Sequence, residues 1–168
     1  MFSQTQIGAL LHEEHLQTIG ALQRLEEFLA KQGSKRQPDA AQPEVRKLLE
    51  AMLALAAEVD RHYGFEEEHL FTLLSNAGEV GMVGLLTDEH AVIKPLAGEL
   101  AGQARTALQT GFSAETWRVF HGQGMELCER EIFHIQKEEM GLLAAISMLV
   151  EPDEDARLAE LYRNLPKH

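Results

Sequence analysis

Four short segments combine histidine with carboxylates: His12-Glu13-Glu14-His15, the stretch from His62 through Glu66 to His69, Asp88-Glu89-His90, and His134 through Glu138-Glu139. Imidazole nitrogen and carboxylate oxygen can together ligate a divalent metal, and one carboxylate can bridge two ions. On a helix, positions i and i+4 lie about 40° apart and one turn along the axis. His62 with Glu66, and His134 with Glu138, have that spacing, so each pair can reach one object. A lone histidine on an apolar face is more often a satisfied core residue. A carboxylate there is harder to dismiss, because burying it unpaired costs several kcal/mol.

The elements that must position these groups read as helices. Leu and Ala dominate the apolar set, at spacings of three and four rather than in alternation. The first run opens at Ser3, with Gln6 three residues on as in a capping box, and continues to about Lys31. Leu11, His15, Ile19, Leu22 and Leu29 share one of its faces. Gln32 to Pro43 reads as a loop. A second run, about Glu44 to Ser75, aligns Met52, Leu55, Val59, His62, Glu66 and Leu73. Asn76-Ala77-Gly78 stops it, and a third run from about Glu79 to Thr110 ends at Gly111. Ser113 caps a fourth run to about Val150, and Pro152 opens a short fifth over about Asp153 to Asn164. The expected fold is all-α. An antiparallel up-down-up-down four-helix bundle spans 1–150, and a short helix or tail over 151–168 packs on it.

Depth along the bundle brings the segments together. His15, His62, His90, His134 and Glu138 each lie roughly 11 to 16 residues from helix ends that such a bundle places on one side, or ~17–24 Å. Four histidines and two glutamates at one depth need compensating positive charge. Lys94 is the one nearby cation on those faces and cannot neutralise the set. A buried metal centre is the reading that follows.

Composition narrows the function classes. The chain has 168 residues, enough for one domain with a substantial core, and a net charge of -12 that argues against nucleic acid or anionic membrane as partner. One cysteine allows no internal disulfide. No apolar run reaches the ~20 residues of a membrane span, and no signal sequence follows Met1, so a cytoplasmic protein is expected.

The ordered set resembles the hemerythrin-like HHE cation-binding domains: a His in helix one, H-x-x-x-E in helix two, E-H in helix three and H-x-x-x-E-E in helix four. The resemblance implies a four-helix bundle around a non-haem, carboxylate-bridged di-iron centre. It implies that His15 and His62 hold one iron, His90 and His134 the other, and that Glu66 and Glu138 bridge them. Oxygen-carrying members place a second His four residues after the helix-three His, where this chain has Lys94 followed by Pro95. Their final bridge lies at the position of Glu139 rather than Glu138. These departures turn the reading from oxygen carriage toward the wider group, linked to oxygen or iron sensing, nitric-oxide response and repair of iron centres.

His12 and His69 are surplus histidines that could replace the missing ligand or hydrogen-bond a ligand, or else lie on a partly exposed helix face. Tyr63 is a candidate outer or redox tyrosine. Glu67 and Glu139 are expected off-axis, though Glu139, like Lys94, is also a candidate to contact a ligand or add one; His121 is excluded by helical angle, His168 is terminal, and Cys128 reads as a buried structural thiol. A ferritin-like rival would use Glu66-x-x-His69 and Glu131-x-x-His134 but needs a long crossover after helix two. Three function classes remain. They are a module that binds or senses O2, NO or iron; an enzyme, peroxidase-like, NO-reducing or delivering iron; and a purely structural bundle. A protein partner or homodimer could carry a sensor's output, through Pro152 to His168 or the basic loop around Lys31, Lys35 and Arg36.

Overall fold

The computed structural model describes residues 5–167, and among them every regular element is helical. Helix α1 spans Gln6–Gln32 and α2 spans Pro43–Phe65. A π-turn, Glu66–Leu70, leads into α3, Phe71–Asn76. Helix α4 spans Val80–Thr110 and α5 spans Ala114–Lys137. A second π-turn, Glu138–Leu142, leads into α6, Leu143–Leu149, and α7 covers Pro152–Arg163. The elements form a helical bundle in which α2 packs on α4, α5 packs on both α1 and α4, and α7 lies against α1. Among the described residues no helix is long and apolar enough to cross a membrane.

Local chemistry sets the ends. Thr5 caps α1, its hydroxyl accepting from the Gly8 N–H; the expected Ser3 cap lies outside the described residues. Gly33 and Gly111, at φ 74° and 76°, end α1 and α4 in the left-handed region that favours glycine. Ser113 and Thr116 form the capping box of α5. Pro43 occupies the first turn of α2, where its missing N–H costs nothing.

The second and fourth runs differ from the uninterrupted helices that their spacing predicts. Each holds one π-turn, and each π-turn begins at a glutamate, Glu66 or Glu138. The amide of Phe71 donates to the Glu66 carbonyl, and that of Leu143 to Glu138, five residues back. One extra residue turns everything beyond it by about 100°. Leu73, expected in the core column, is therefore half-buried, while Leu70 and Leu74 are fully buried.

Two apolar clusters flank the bundle's middle. One gathers Leu22, Leu25, Val59, Leu100, Trp117 and Phe120; the other gathers Ile7, Leu11, Phe65, Leu70, Leu142 and Leu158. Each fully buried leucine contributes ~1.5–3 kcal/mol. Gly124 lets α1 and α5 approach closely, since a Cβ there would stand 2.7 Å from Leu29 Cδ1. Between the two clusters lie His15, His62, Glu66, His90, Glu131, His134 and Glu138, all buried.

Candidate metal centre

Each long helical run brings one histidine to this layer: His15 from α1, His62 from α2, His90 from α4 and His134 from α5. The two π-turns bring Glu66 and Glu138. The Oε1 of Glu66 lies 2.7 Å from His62 Nε2, and its Oε2 lies 3.2 Å from His90 Nε2. The Oε2 of Glu138 lies 2.9 Å from His15 Nε2, and its Oε1 lies 2.7 Å from His134 Nε2. Each carboxylate thus spans one histidine of each half. Two overlapping donor groups result: His15, His62, Glu66 and Glu138, and Glu66, His90, His134 and Glu138.

The outward nitrogens are organised in the same way. His15 Nδ1 meets Glu139 Oε1 at 2.6 Å and His90 Nδ1 meets Glu67 Oε1 at 2.9 Å. His134 Nδ1 meets Glu89 Oε1 at 2.8 Å, and His62 Nδ1 lies 3.3 Å from Glu14 Oε1. The site therefore has internal two-fold character. Glu14-His15 on α1 corresponds to Glu89-His90 on α4, and His62 with Glu66-Glu67 corresponds to His134 with Glu138-Glu139. In each half, the glutamate beside one histidine serves the other half-partner's Nδ1.

These carboxylates decide where the ring protons sit. A neutral imidazole whose Nδ1–H donates outward carries a bare lone pair on Nε2. His90 Nε2 and His134 Nε2 face each other at 3.1 Å, so they cannot both carry a proton there. His15 Nε2, Glu66 Oε2 and both Glu138 oxygens are buried without a hydrogen-bond partner. A layer of lone pairs and carboxylates, all acceptors, is satisfied by cations.

Without a cation the same groups must hold protons. Burial lowers the His15 imidazole, but Glu138 and Glu139 outweigh it and raise it to about 9. Burial likewise works against His90, which Glu138 and Glu66 raise to about 10. His62 and His134 are raised by their carboxylates against the same burial. Burial would raise Glu138, but the His134 charge and the surrounding imidazoles hold it well below the usual carboxylate range.

A family model described as the hemerythrin HHE cation binding domain matches residues 6–146. The chain belongs to this family. No curated protein and no solved structure matches it. The hemerythrin match takes in all four histidines and both central glutamates and ends before α7.

The other sequence candidates of this hemerythrin domain separate clearly. Lys94 turns outward to Asp60, its Nζ 3.1 Å from Oδ1, and does not reach the centre. His69 does not join either donor group; its ring lies against Phe65 and its Nε2 is 3.9 Å from Glu68. The π-turn carries it off the axis that the heptad spacing from His62 predicts. His12 bonds Glu139 Oε2 at 2.8 Å, so Glu139 joins His12 to His15. Glu67, expected to point off-axis, holds His90 of a neighbouring helix, and Glu139, also a candidate to hydrogen-bond a ligand, holds His15. Tyr63 stacks on His90 with ring centroids 3.6 Å apart, and its hydroxyl donates to buried Glu131. Burial and the charges of Glu131 and Glu138 push the Tyr63 phenol well up, and burial raises Glu131 as well. His121 sits away from the centre, on the Leu29 carbonyl at 2.9 Å. Cys128 is buried, donating to the Leu22 carbonyl, and burial pushes its thiol up to about 12. His168 lies outside the described residues.

The i,i+4 spacing gives Glu14 and Glu89 no role. Their sequence signal is the repeated pair Glu-His, each glutamate immediately preceding a site histidine.

Proposed function

We propose that this hemerythrin-like protein holds two non-haem iron ions and binds or senses O2, NO or iron availability through them. His15 and His62 would hold one ion, His90 and His134 the other, with Glu66 and Glu138 shared. The observation that carries this reading is the facing of His90 Nε2 and His134 Nε2 at 3.1 Å, with both Nδ1 atoms committed to carboxylates. The four long runs would course up-down-up-down, as the short link between α3 and α4 favours.

When bound, an iron pair supplies redox change and affinity for diatomic ligands. The chain's own residues do the rest. Glu14, Glu67, Glu89 and Glu139 keep the ring protons outward and the Nε2 lone pairs inward. The two apolar clusters exclude bulk water from the layer between them. Lys94 leaves each ion two histidines and two shared carboxylates, which favours sensing or redox cycling over reversible carriage. The -12 charge disfavours nucleic acid and anionic membrane as partners, and the reading is of a cytoplasmic protein that works alone, as a homodimer or with a protein partner.

A redox enzyme, or one that detoxifies NO or repairs iron centres, is the second reading. Tyr63 and Glu131 favour it, because a buried phenol whose hydroxyl donates to a carboxylate stacks its ring on His90. Visible spectra of anaerobically prepared protein separate the two. A band formed with O2 and lost on deoxygenation supports the binder; bleaching with iron release by NO or peroxide supports the enzyme.

A further inference from the structure

Helix α7 lies beyond the matched residues, yet it reaches the metal centre. Tyr162, buried near its end, places its hydroxyl 3.3 Å from His62 Nδ1 and its ring edge-on to the His62 ring at 6.3 Å. Phe65 packs against the Tyr162 ring, with centroids 4.9 Å apart, and the Arg61 guanidinium lies 5.0 Å over it. At the other end of α7, Asp155 accepts the backbone N–H groups of Gln6 and Ile7 at 2.8 and 2.9 Å. Both ends of the helix are therefore tied to the body that carries the site.

His62 is the histidine for which this matters. The other three each meet an outer carboxylate at 2.6, 2.9 or 2.8 Å. The Glu14 oxygen facing His62 is bound at 2.7 Å by Arg61 Nη2 and stands 3.3 Å from Nδ1. That long contact leaves room for a second acceptor, and Tyr162 supplies it. The chain's other tyrosine, Tyr63, gives its hydroxyl to Glu131, so Tyr162 on His62 breaks the two-fold character of the centre.

We propose that Tyr162 is a positioning residue for His62. Its hydroxyl oxygen shares the Nδ1–H with Glu14, fixes the ring with Nε2 turned to Glu66, and makes the His15/His62 half depend on a docked α7. The inference rests on the two-ion reading above.

The test compares full-length wild type with Tyr162→Phe, which keeps the ring and its packing. Both are titrated with cobalt(II) alone, and the His62 Nδ1–H proton is followed by NMR in the metal-free protein. Tyr162→Phe should weaken one of two binding steps by about 10-fold or more and leave the other within about 2-fold. The Nδ1–H resonance should exchange faster with water, while the metal-free melting temperature moves by no more than about 4 °C. Two unchanged steps with an unchanged resonance overturn the role of Tyr162, and so does equal weakening of both steps. A wild type that takes up fewer than two cobalt ions overturns the two-ion reading instead. In that case an unchanged His62 resonance in Tyr162→Phe overturns the Tyr162 contact on its own.

Discussion

His90 and His134 turn their Nε2 atoms toward each other at 3.1 Å while their Nδ1 atoms bond outward, to Glu67 and Glu89. With both Nδ1–H groups donating outward, neutral rings arranged in this way turn two Nε2 acceptors toward each other in a buried layer. A shared metal ion, or in its absence a proton, makes that contact favourable, and Glu66 and Glu138 link it to His15 and His62.

His134→Ala should remove metal from the His90/His134 half, and Glu138→Ala should reduce uptake in both halves, because Glu138 is common to the two donor groups. His121→Ala should leave uptake unchanged, since its ring bonds the Leu29 carbonyl away from the centre. Metal analysis of the three purified variants reads all outcomes.

Glu67→Gln and Glu89→Gln should each lower metal affinity about 10- to 100-fold without removing a ligand atom from the centre. A glutamine retains an acceptor oxygen but loses the charge that favours an outward Nδ1–H. Competition against a chelator of known affinity measures the loss; affinities equal to wild type would show these contacts to be incidental.

The two predictions draw on parts of the site that differ in how visible they are in sequence. His15, His62, Glu66, His90, His134 and Glu138 emerge from i,i+4 spacing and common depth, since both follow from regular helix geometry. Glu67 and Glu139 do not. Regular geometry sends each about 100° away from the glutamate before it, and the π-turns that begin at Glu66 and Glu138 leave no periodic trace. The same insertion displaces Leu73 in favour of Leu74 and takes His69 off the axis. Tyr162 is invisible for another reason: its partner His62 lies a hundred residues earlier, and no local pattern links them.

Metal uptake should release protons and tighten as pH rises. His15, raised to about 9, and His90, raised to about 10, are both raised above their ordinary 6.5, so the metal-free site holds protons at pH 7 that the ion must displace. The stability of the metal-free protein should show the opposite trend. A raised folded value stabilises fully below about pH 6.5 and is lost as pH climbs through about 9 to 10. Denaturant unfolding of metal-free protein at pH 6 and pH 10 should therefore give the higher midpoint at pH 6.

Glu131→Ala should cost about 1–3 kcal/mol, because it strands the buried Tyr63 hydroxyl. Adding Tyr63→Phe should recover part of that loss, and a double-mutant cycle by urea unfolding measures the coupling. Additive effects would mean that the pair does not act as a unit.

Asp155→Ala removes the acceptor for two first-turn N–H groups of α1 and should cost about 0.5–2 kcal/mol. The unfolding midpoint checks it.

The iron content of protein prepared without oxygen tests the two-ion centre most directly. Two iron ions per chain, both lost when Glu66 and Glu138 are replaced together by alanine, is the predicted result. Zinc alone, no metal, or iron retained by that double variant would contradict it.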